Sequence, residues 1–283
     1  MKKVTQRLAL CSAIAVAGLA GNTASAHGWN YYIAGYAAAT QASFDYSALN
    51  DYSGSIDTDE DFDASGLTHT TQVADQTSLG GGYTFGIELQ FQHNQFLGLN
   101  VSEQFNSDQA KAASSWNLAV GDWSEDDQSA IPLNVENSFR LKHQLQLTLA
   151  YGIQLPNKTD WLYVKAGPSV AQLKESSVSS IDIDAFSDST EERLVSDNIN
   201  TSASTHSVWG PSIGIGYRHH LSDHVVLFAE YDYAYYGQQN ISTLSQNQTV
   251  TTNKGNDLTA TGDITRKVKV ISSSIKAGLG IVW

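Results

Sequence analysis

The chain has 283 residues, of which 41% are hydrophobic and 16% are charged, and its formal net charge is −13 at pH 7. This acidic balance argues against nucleic acid as a partner. The single cysteine, Cys11, lies in the N-terminal segment, so a disulfide framework is excluded from the rest of the chain.

The first 26 residues have the pattern of a secretory signal peptide. A basic start, an apolar run and an A-x-A cleavage site follow one another as Lys2, Lys3 and Arg7, then residues 8–20, then Ala24-Ser25-Ala26. The run is shorter than the roughly 20 apolar residues of a membrane anchor. We therefore expect a signal peptide at 1–26 and one domain at 27–283, in which 13 Lys and Arg face 29 Asp and Glu, a net charge of −16.

The C-terminal stretch 267–283 alternates strictly between two kinds of residue. One parity is mostly apolar and reaches Trp283, whereas the other carries serine, lysine and glycine. Period-two alternation predicts a strand between two different environments. An apolar edge strand is a liability in a soluble sheet, but a closed transmembrane barrel has no edge and places aromatic residues at the membrane interface.

Six further stretches alternate in the same way, and a run of small and aromatic residues at 30–39, whose facing stays ambiguous, brings the predicted strands to eight. The predicted strands are 30–39, 79–90, 96–105, 139–153, 161–173, 208–219, 225–236 and 267–283. Short turns at 91–95, 155–160 and 220–224 alternate with long loops at 41–78, 106–137, 174–207 and 237–266. This rhythm is typical of outer-membrane barrels, which have short periplasmic turns and long extracellular loops.

The predicted fold is therefore all-β, a transmembrane antiparallel up-and-down β-barrel of eight strands with long extracellular loops. An even strand count places both termini in the periplasm. A ten-stranded barrel stays open as an alternative if residues 116–123 form a further membrane strand.

Two motifs carry a family resemblance. The last eight residues, KAGLGIVW, resemble the C-terminal assembly signal of bacterial outer-membrane barrels, with Lys276, Gly278, Ile281 and Trp283 in its characteristic places. The sequence from His220 to Asp232, HLSDHVVLFAEYD, resembles the penultimate hairpin of the small OmpA-like and opacity-type outer-membrane proteins.

This resemblance implies a bacterial outer-membrane location after secretory export, with outer-membrane lipid and the barrel assembly machinery as partners. It implies no cofactor and no enzymatic activity. The function would lie in the surface loops, as adhesion, envelope integrity or interaction with host or cell-surface ligands.

Charged residues on the inward parity form a candidate polar network in the lumen. They are Glu88, Arg140, Lys142, Lys165, Arg218, Glu230, Asp232 and Lys276. Eight strands enclose an interior just wide enough for side chains, and charges inside it must be paired or hydrated. We expect a plug of paired charges; a narrow outer-membrane pore is the alternative.

The predicted loop at 41–78 is rich in acidic residues. Its Asp57, Asp59, Asp61 and Asp63 resemble the start of a calcium loop, although Phe62 and Thr68 stand where such a loop has glycine and glutamate. We expect a solvated acidic loop, with weak binding of divalent cations as the alternative.

One further motif suggests an enzyme. His220-x-Ser222 resembles the His-x-Ser of lipid A deacylases, and Glu230 would complete a triad. Those enzymes act on the outer leaflet, whereas the loop count places this turn in the periplasm. A lipid-modifying enzyme is therefore the least favoured function.

Overall fold

The computed structural model describes residues 28–57, 62–91, 94–107, 110–124, 127–181, 200–251 and 257–283. It describes side chains at 28–49, 69–91, 94–107, 136–178, 202–241 and 265–283. Within these ranges no helix has the length and hydrophobicity that a membrane crossing requires. The predicted signal peptide lies outside the described residues.

Nine strands form within the described residues. They are β1 (Trp29–Asp57), β2 (Phe62–Phe91), β3 (Gln95–Asn106), β4 (Ala110–Ser124), β5 (Asp127–Gln154), β6 (Asp160–Ile181), β7 (Asn200–His220), β8 (Val225–Thr251) and β9 (Asp257–Val282). Both β3 and β4 pair with β5, so they occupy successive parts of one place in the sheet. The pairing of β1 with β9 completes a ring of eight antiparallel positions. The predicted eight-stranded barrel is confirmed.

We call the end of the barrel that holds Tyr31, Trp283 and the short turns its lower end. The ring closes there through main-chain hydrogen bonds. The Tyr31 N–H donates to the Trp283 carbonyl over 2.9 Å, and the Trp283 N–H donates to the Tyr31 carbonyl over 3.0 Å. Short turns join strands at this end, and two of them use a left-handed residue, Asn94 at φ 60° and Lys158 at φ 64°. The predicted short turns therefore lie together at one end of the barrel.

Inward and outward side chains alternate along the lower half of the strands whose side chains are described. In β9, Ser274 and Lys276 are buried, while Ile275 and Leu279 are 63% and 57% exposed. The barrel thus turns its polar parity inward and its apolar parity outward, the reverse of a soluble protein.

The strands continue well beyond the predicted limits. Strands β1 and β2 pair from Trp29–Leu89 up to Ile56–Phe62, through most of the predicted loop at 41–78. Much of the other three predicted long loops is likewise strand. Those loop boundaries were wrong, because polar residues on the outer face above the lipid level hide the alternation.

The ten-stranded alternative is wrong. Residues 116–123 belong to β4, whose backbone pairs with the upper part of β5 above the end of β3. They prolong an existing position in the ring and add no further pair of strands.

The ring opens into two sheets in its upper half. Among the described residues, pairing of β7 with β8 ends at Ser212–Ala234, and pairing of β2 with the β3–β4 position ends at Gly80–Asn106. A bulge after Tyr235, with Gly237 at φ +69°, marks the divergence of β8. The upper half consists of one sheet of β8, β9, β1 and β2 and a second of β4, β5, β6 and β7.

An apolar core lies between these two sheets. The first sheet contributes Ala42, Phe44, Tyr46, Ala48, Ala74, Tyr236, Ile241, Val268 and Val270, and the second contributes Phe139, Leu141, Ala171, Leu173 and Val208. Phe139 stacks on Phe44 at 5.6 Å between ring centroids and packs against Tyr46 at 5.5 Å. The upper half is therefore packed as a β-sandwich, whose inner faces form its core.

The predicted lumen network is wrong at two positions of β5, because this strand contains a bulge. Between Leu141 and Gln144 the register of β5 against β6 shifts by one residue, which exchanges the two faces of the strand. Phe139 and Leu141 are consequently fully buried, whereas Arg140 and Lys142 are half-exposed. The prediction that Arg140 and Lys142 line the lumen was wrong, since both lie on the outer side of the wall.

Candidate functional site

The lower lumen is occupied by one ion pair enclosed by aromatic rings. Arg218 of β7 donates two hydrogen bonds to the carboxylate of Glu88 of β2, over 2.7 and 2.8 Å, and both residues are buried. The guanidinium carbon lies 4.6 Å from the ring centroid of Tyr32 and 5.5 Å from those of Phe96 and Tyr163. A bidentate pair of this kind satisfies both charges inside the barrel.

Above it, four charged residues form a second buried network. Lys165 Nζ lies 2.6 Å from Glu230 Oε2 and 3.0 Å from Asp232 Oδ1, and Lys276 Nζ lies 2.7 Å from Asp232 Oδ2. The Tyr163 hydroxyl donates to Glu230 over 2.6 Å. Two cations thus neutralise two anions, and all four side chains are buried.

Neutral polar side chains link strands that do not pair with each other at the next level. Gln144 of β5 donates to Ser272 of β9 over 2.8 Å, and Gln104 of β3 donates to Thr40 of β1 over 2.6 Å. Lys276 also donates to Gln146 over 3.3 Å. The bonds between β5 and β9 cross the lumen, which in an eight-stranded barrel is just wide enough for side chains.

The apolar core of the sandwich covers this polar lumen, and a last ion pair crosses it. Glu175 of β6 pairs with Arg266 of β9 and accepts a hydrogen bond from the Ser204 hydroxyl over 3.2 Å. Burial raises the pKa of the Glu175 carboxyl, while the nearby Arg266 charge acts in the opposite direction. Strands of both sheets are therefore joined by a charge pair as well as by packing.

The buried charges balance within the described residues. The buried cations are Lys165, Arg218, Arg266 and Lys276, and the buried anions are Glu88, Glu175, Glu230 and Asp232. Each has an opposite charge within 4 Å. The structure brings six of the eight predicted lumen residues into this set, leaves out Arg140 and Lys142, and adds two that the sequence analysis missed.

Glu175 and Arg266 were missed because both fall in predicted loops. Arg266 has the same parity as Lys276, so extending the inward parity of β9 backwards through Val270 and Val268 would have found it. Glu175 likewise has the inward parity of Lys165, so extending that parity of β6 through Ala171 and Leu173 would have found it.

The outer wall carries an apolar belt between aromatic residues. Leu147, Leu149, Ile213 and Ile215 are 44–60% exposed. Trp283, 46% exposed and stacked on Tyr31 at 6.5 Å, lies at the lower edge, and Trp209, 65% exposed, lies towards the upper edge. An apolar band between aromatic girdles is the surface that a lipid bilayer solvates.

The four residues of the predicted assembly signal divide between the two faces of β9. Lys276 is buried in the charge network, whereas Ile281 and Trp283 point outward. A Cβ at Gly278 would lie 2.2 Å from the Gly35 carbonyl and 2.7 Å from the Tyr36 Cβ. Glycine is therefore required there by the close approach of β1.

The residues of the hypothetical triad are not brought together. Ser222 lies in the exposed turn between β7 and β8, where its hydroxyl accepts the Val225 N–H over 3.1 Å. Glu230 is buried four residues further along β8 than Val226, the residue that pairs with His220, a rise of about 13 Å. Its carboxylate is held by Lys165 and Tyr163.

The candidate calcium loop of Asp57, Asp59, Asp61 and Asp63 lies partly outside the described residues. Asp59 and Asp61 lie outside the described residues. For Asp57 and Asp63 only the backbone is described: Asp57 is the last residue of β1, and Asp63 is the second residue of β2 and pairs with Ser55. The described residues include no group of three or more His, Cys, Asp or Glu that could hold a metal ion.

Comparison with known proteins gives a relative in sequence and several solved structures of similar fold. No protein-family model matches. An uncharacterized protein of Coxiella burnetii (strain RSA 493 / Nine Mile phase I) is 28% identical over 218 residues, which cover 77% of this chain and 73% of that protein.

Solved outer-membrane barrels resemble the chain at low TM-scores. Ail, the attachment invasion locus protein of Yersinia pestis, is 11% identical with a TM-score of 0.33 and covers 91% of this chain and 100% of its own. OprG of Pseudomonas aeruginosa is 11% identical with a TM-score of 0.35, covering 91% and 96%. Both scores lie below 0.5, so the description of the fold rests on the strand pairings of this chain.

Proposed function

We propose that this chain is a non-enzymatic outer-membrane surface protein whose closed barrel supports an acidic, surface-exposed extension that binds ligands outside the cell. The observation that carries the proposal is the filled interior: two charge networks, a layer of cross-lumen hydrogen bonds and an apolar core follow one another along the barrel. Such an interior supports a structural role for the barrel.

The outer wall supports the location. An inverted pattern, with polar side chains inside and an apolar belt outside, is stable only where lipid solvates the wall. Export would use the N-terminal segment 1–26, and assembly machinery would recognise the sequence around Trp283. The partners at this level are the outer-membrane lipid and that machinery.

The alternative of a narrow pore makes the opposite prediction for ion flow. Moving a charge past the buried networks would require breaking an ion pair, and the apolar core above excludes water. Planar bilayers holding the refolded protein should therefore show no steady conductance. A porin of known conductance in the same bilayers is the positive control. A stable, large conductance of the unaltered protein would overturn the closed barrel and favour the pore.

The binding function is inferred from charge. Residues 41–78 contain eight acidic residues and no Lys or Arg; they are Asp45, Asp51, Asp57, Asp59, Glu60, Asp61, Asp63 and Asp75. Asp45 and Asp75 are exposed on the outer wall. A surface of this kind attracts divalent cations or basic host surfaces, and the attraction falls as salt shortens the Debye length to about 8 Å at physiological strength. Adhesion, envelope integrity and host interaction are functions that such a surface could serve.

A charge-neutralised variant tests the role of the extension without removing a strand. D57N/D59N/E60Q/D61N/D63N keeps the chain length, so the barrel should still reach the outer membrane in normal amounts. We expect cells with this variant to lose salt-sensitive binding to a polycation-coated surface. Unchanged binding at normal surface levels would contradict a binding role for this acidic segment.

A further inference from the structure

Outside the lumen, the basic side chains are concentrated at one level. The Lys and Arg residues with described side chains that do not belong to the buried networks are Arg140, Lys142, Lys158, Lys174, Lys267 and Lys269. Lys158 lies in a turn at the lower end. The other five lie just above the apolar belt; we call them the basic collar.

The level follows from the order of residues along each strand. In β9, Lys269 and Lys267 are the next outward positions after Ile271, where the apolar parity of the belt ends. In β6, Lys174 follows Val170 and Gln172 on the outward parity. A chain with a net charge of −13 thus places its outward cations where the hydrocarbon of a bilayer gives way to headgroups.

Two members of the collar oppose each other directly. Arg140 and Lys174 are paired residues in the ladder of β5 and β6, which brings their Cβ atoms within about 5.5 Å. Like charges in this position destabilise a sheet. No carboxylate of the described residues lies within 4 Å of any collar cation, although Asp45 faces Lys269 across the β1–β9 ladder.

The collar has two parts on opposite sides of the ring. Arg140 and Lys142 lie on β5 and Lys174 lies on β6, whereas Lys267 and Lys269 lie on β9, four positions from β5 and three from β6. Beside Lys267 the outer wall has a shallow cavity of about 270 Å³, lined by Ser47, Leu49, His69, Gln238, Thr265 and Lys267. Hydroxyl and amide groups around a cation are suited to a phosphate-bearing headgroup with polar substituents.

We propose that the basic collar binds the phosphate groups of anionic lipids in the outer leaflet, with the patch of Arg140, Lys142 and Lys174 as the principal site. Arg140 Nη2 donates a hydrogen bond to the Asn106 carbonyl over 3.2 Å, and a phosphate between Arg140 Nη1 and Lys174 would neutralise the repulsion that their pairing creates. Arginine and lysine at the headgroup level attract anionic lipids strongly at short range. This inference rests on the proposed insertion into the outer membrane and adds the class of lipid that the wall selects.

The test measures lipid preference of the inserted barrel. Wild type, R140Q/K142Q/K174Q and K158Q are refolded into phosphatidylcholine vesicles that contain spin-labelled phosphatidylcholine or a spin-labelled lipid with a free phosphate headgroup. Electron paramagnetic resonance then gives the relative association constant of the phosphate lipid. We expect a clear preference in wild type, the same preference in K158Q, and a fall of about fivefold for each cation removed in the triple variant.

The outcomes separate this inference from the proposed function. If no form becomes protease-resistant and heat-modifiable in vesicles, membrane insertion itself fails. If the proteins insert but show equal preference in all three, the collar does not select phosphate lipids. If a soluble sulfated polysaccharide binds wild type in a collar-dependent way and no lipid preference appears, the partner is a polyanion in solution. Should the triple variant not fold, K174Q alone, which removes the opposed pair, gives the same comparison.

Discussion

Arg218 and Glu88 face each other across the barrel, from β7 to β2, through two hydrogen bonds of 2.7 and 2.8 Å. The two residues are 130 positions apart in the chain. Their pairing therefore forms only when the ring has closed, and it couples walls that share no ladder.

Breaking this pair on one side should be more harmful than removing it entirely. R218M or E88Q alone leaves one buried charge without its partner and should lower the free energy of unfolding by about 3–5 kcal/mol. The double variant R218M/E88M should recover much of that loss, because apolar groups of similar size replace both charges. Urea unfolding from lipid vesicles measures the difference, and single variants with wild-type stability would contradict the network.

The outward parity of β5 should behave as a lipid-facing surface. Leu147 is 44% exposed in the belt, and L147R should cost about 2–4 kcal/mol if it lies near the bilayer midplane. The matched control is A203R on the outer face of β7 above the belt, which is exposed, pairs with the neutral Ser176 and should change stability little. Refolding titrations into lipid decide the order, and equal costs would place the belt elsewhere.

Removing Trp283 should impair assembly. Its ring stacks on Tyr31, and its main chain makes the last two bonds between β9 and β1. We expect the truncated protein to reach the outer membrane in reduced amounts, whereas W283F, which keeps an aromatic ring, should be nearly normal. Normal amounts of the truncated protein would count against an assembly role.

Acid should weaken the turn between β5 and β6. Hydrogen bonds with His219 and Asn157 lower the pKa of Asp160 from 3.8 to about 2. A lowered folded-state pKa stabilises the protein fully above pH 3.8 and loses that contribution as the pH falls towards 2. The stability advantage of wild type over D160N should shrink across this window. A difference that does not vary with pH would rule out this titration.

The membrane half of the fold could be predicted because lipid imposes a strict alternation. Leu97, Leu147, Ile213 and Ile275 all point outward as their parity predicts, and strand order follows from the short turns. Above the lipid the environments of the inner and outer faces both change, so the alternation no longer predicts which face is apolar. Above the belt the outer face meets water and the inner face meets an apolar core. There the apolar residues point inward and the polar residues outward, the reverse of the membrane half.

One bulge accounts for the misplaced charges. Arg140 and Lys142 share the parity of Gln144 in sequence, but the extra residue between Leu141 and Gln144 separates them in space. Nothing in the residues 141–144 resembles a glycine-marked bulge, so no local signal announced the shift. The pairing of Glu175 with Arg266 depends on the same upper packing.

Because the ring separates into two sheets in its upper half, the surface half does not have to meet the closure condition of a barrel. In the membrane, strand number, tilt and stagger are tied together, because the ladder must return to its starting point. Two facing sheets have no such constraint; each hairpin can grow or shrink by pairs of residues and keep its inner face on the core. Lineages of this chain are therefore free to change the height and outline of the exposed part while the portion embedded in lipid keeps its dimensions.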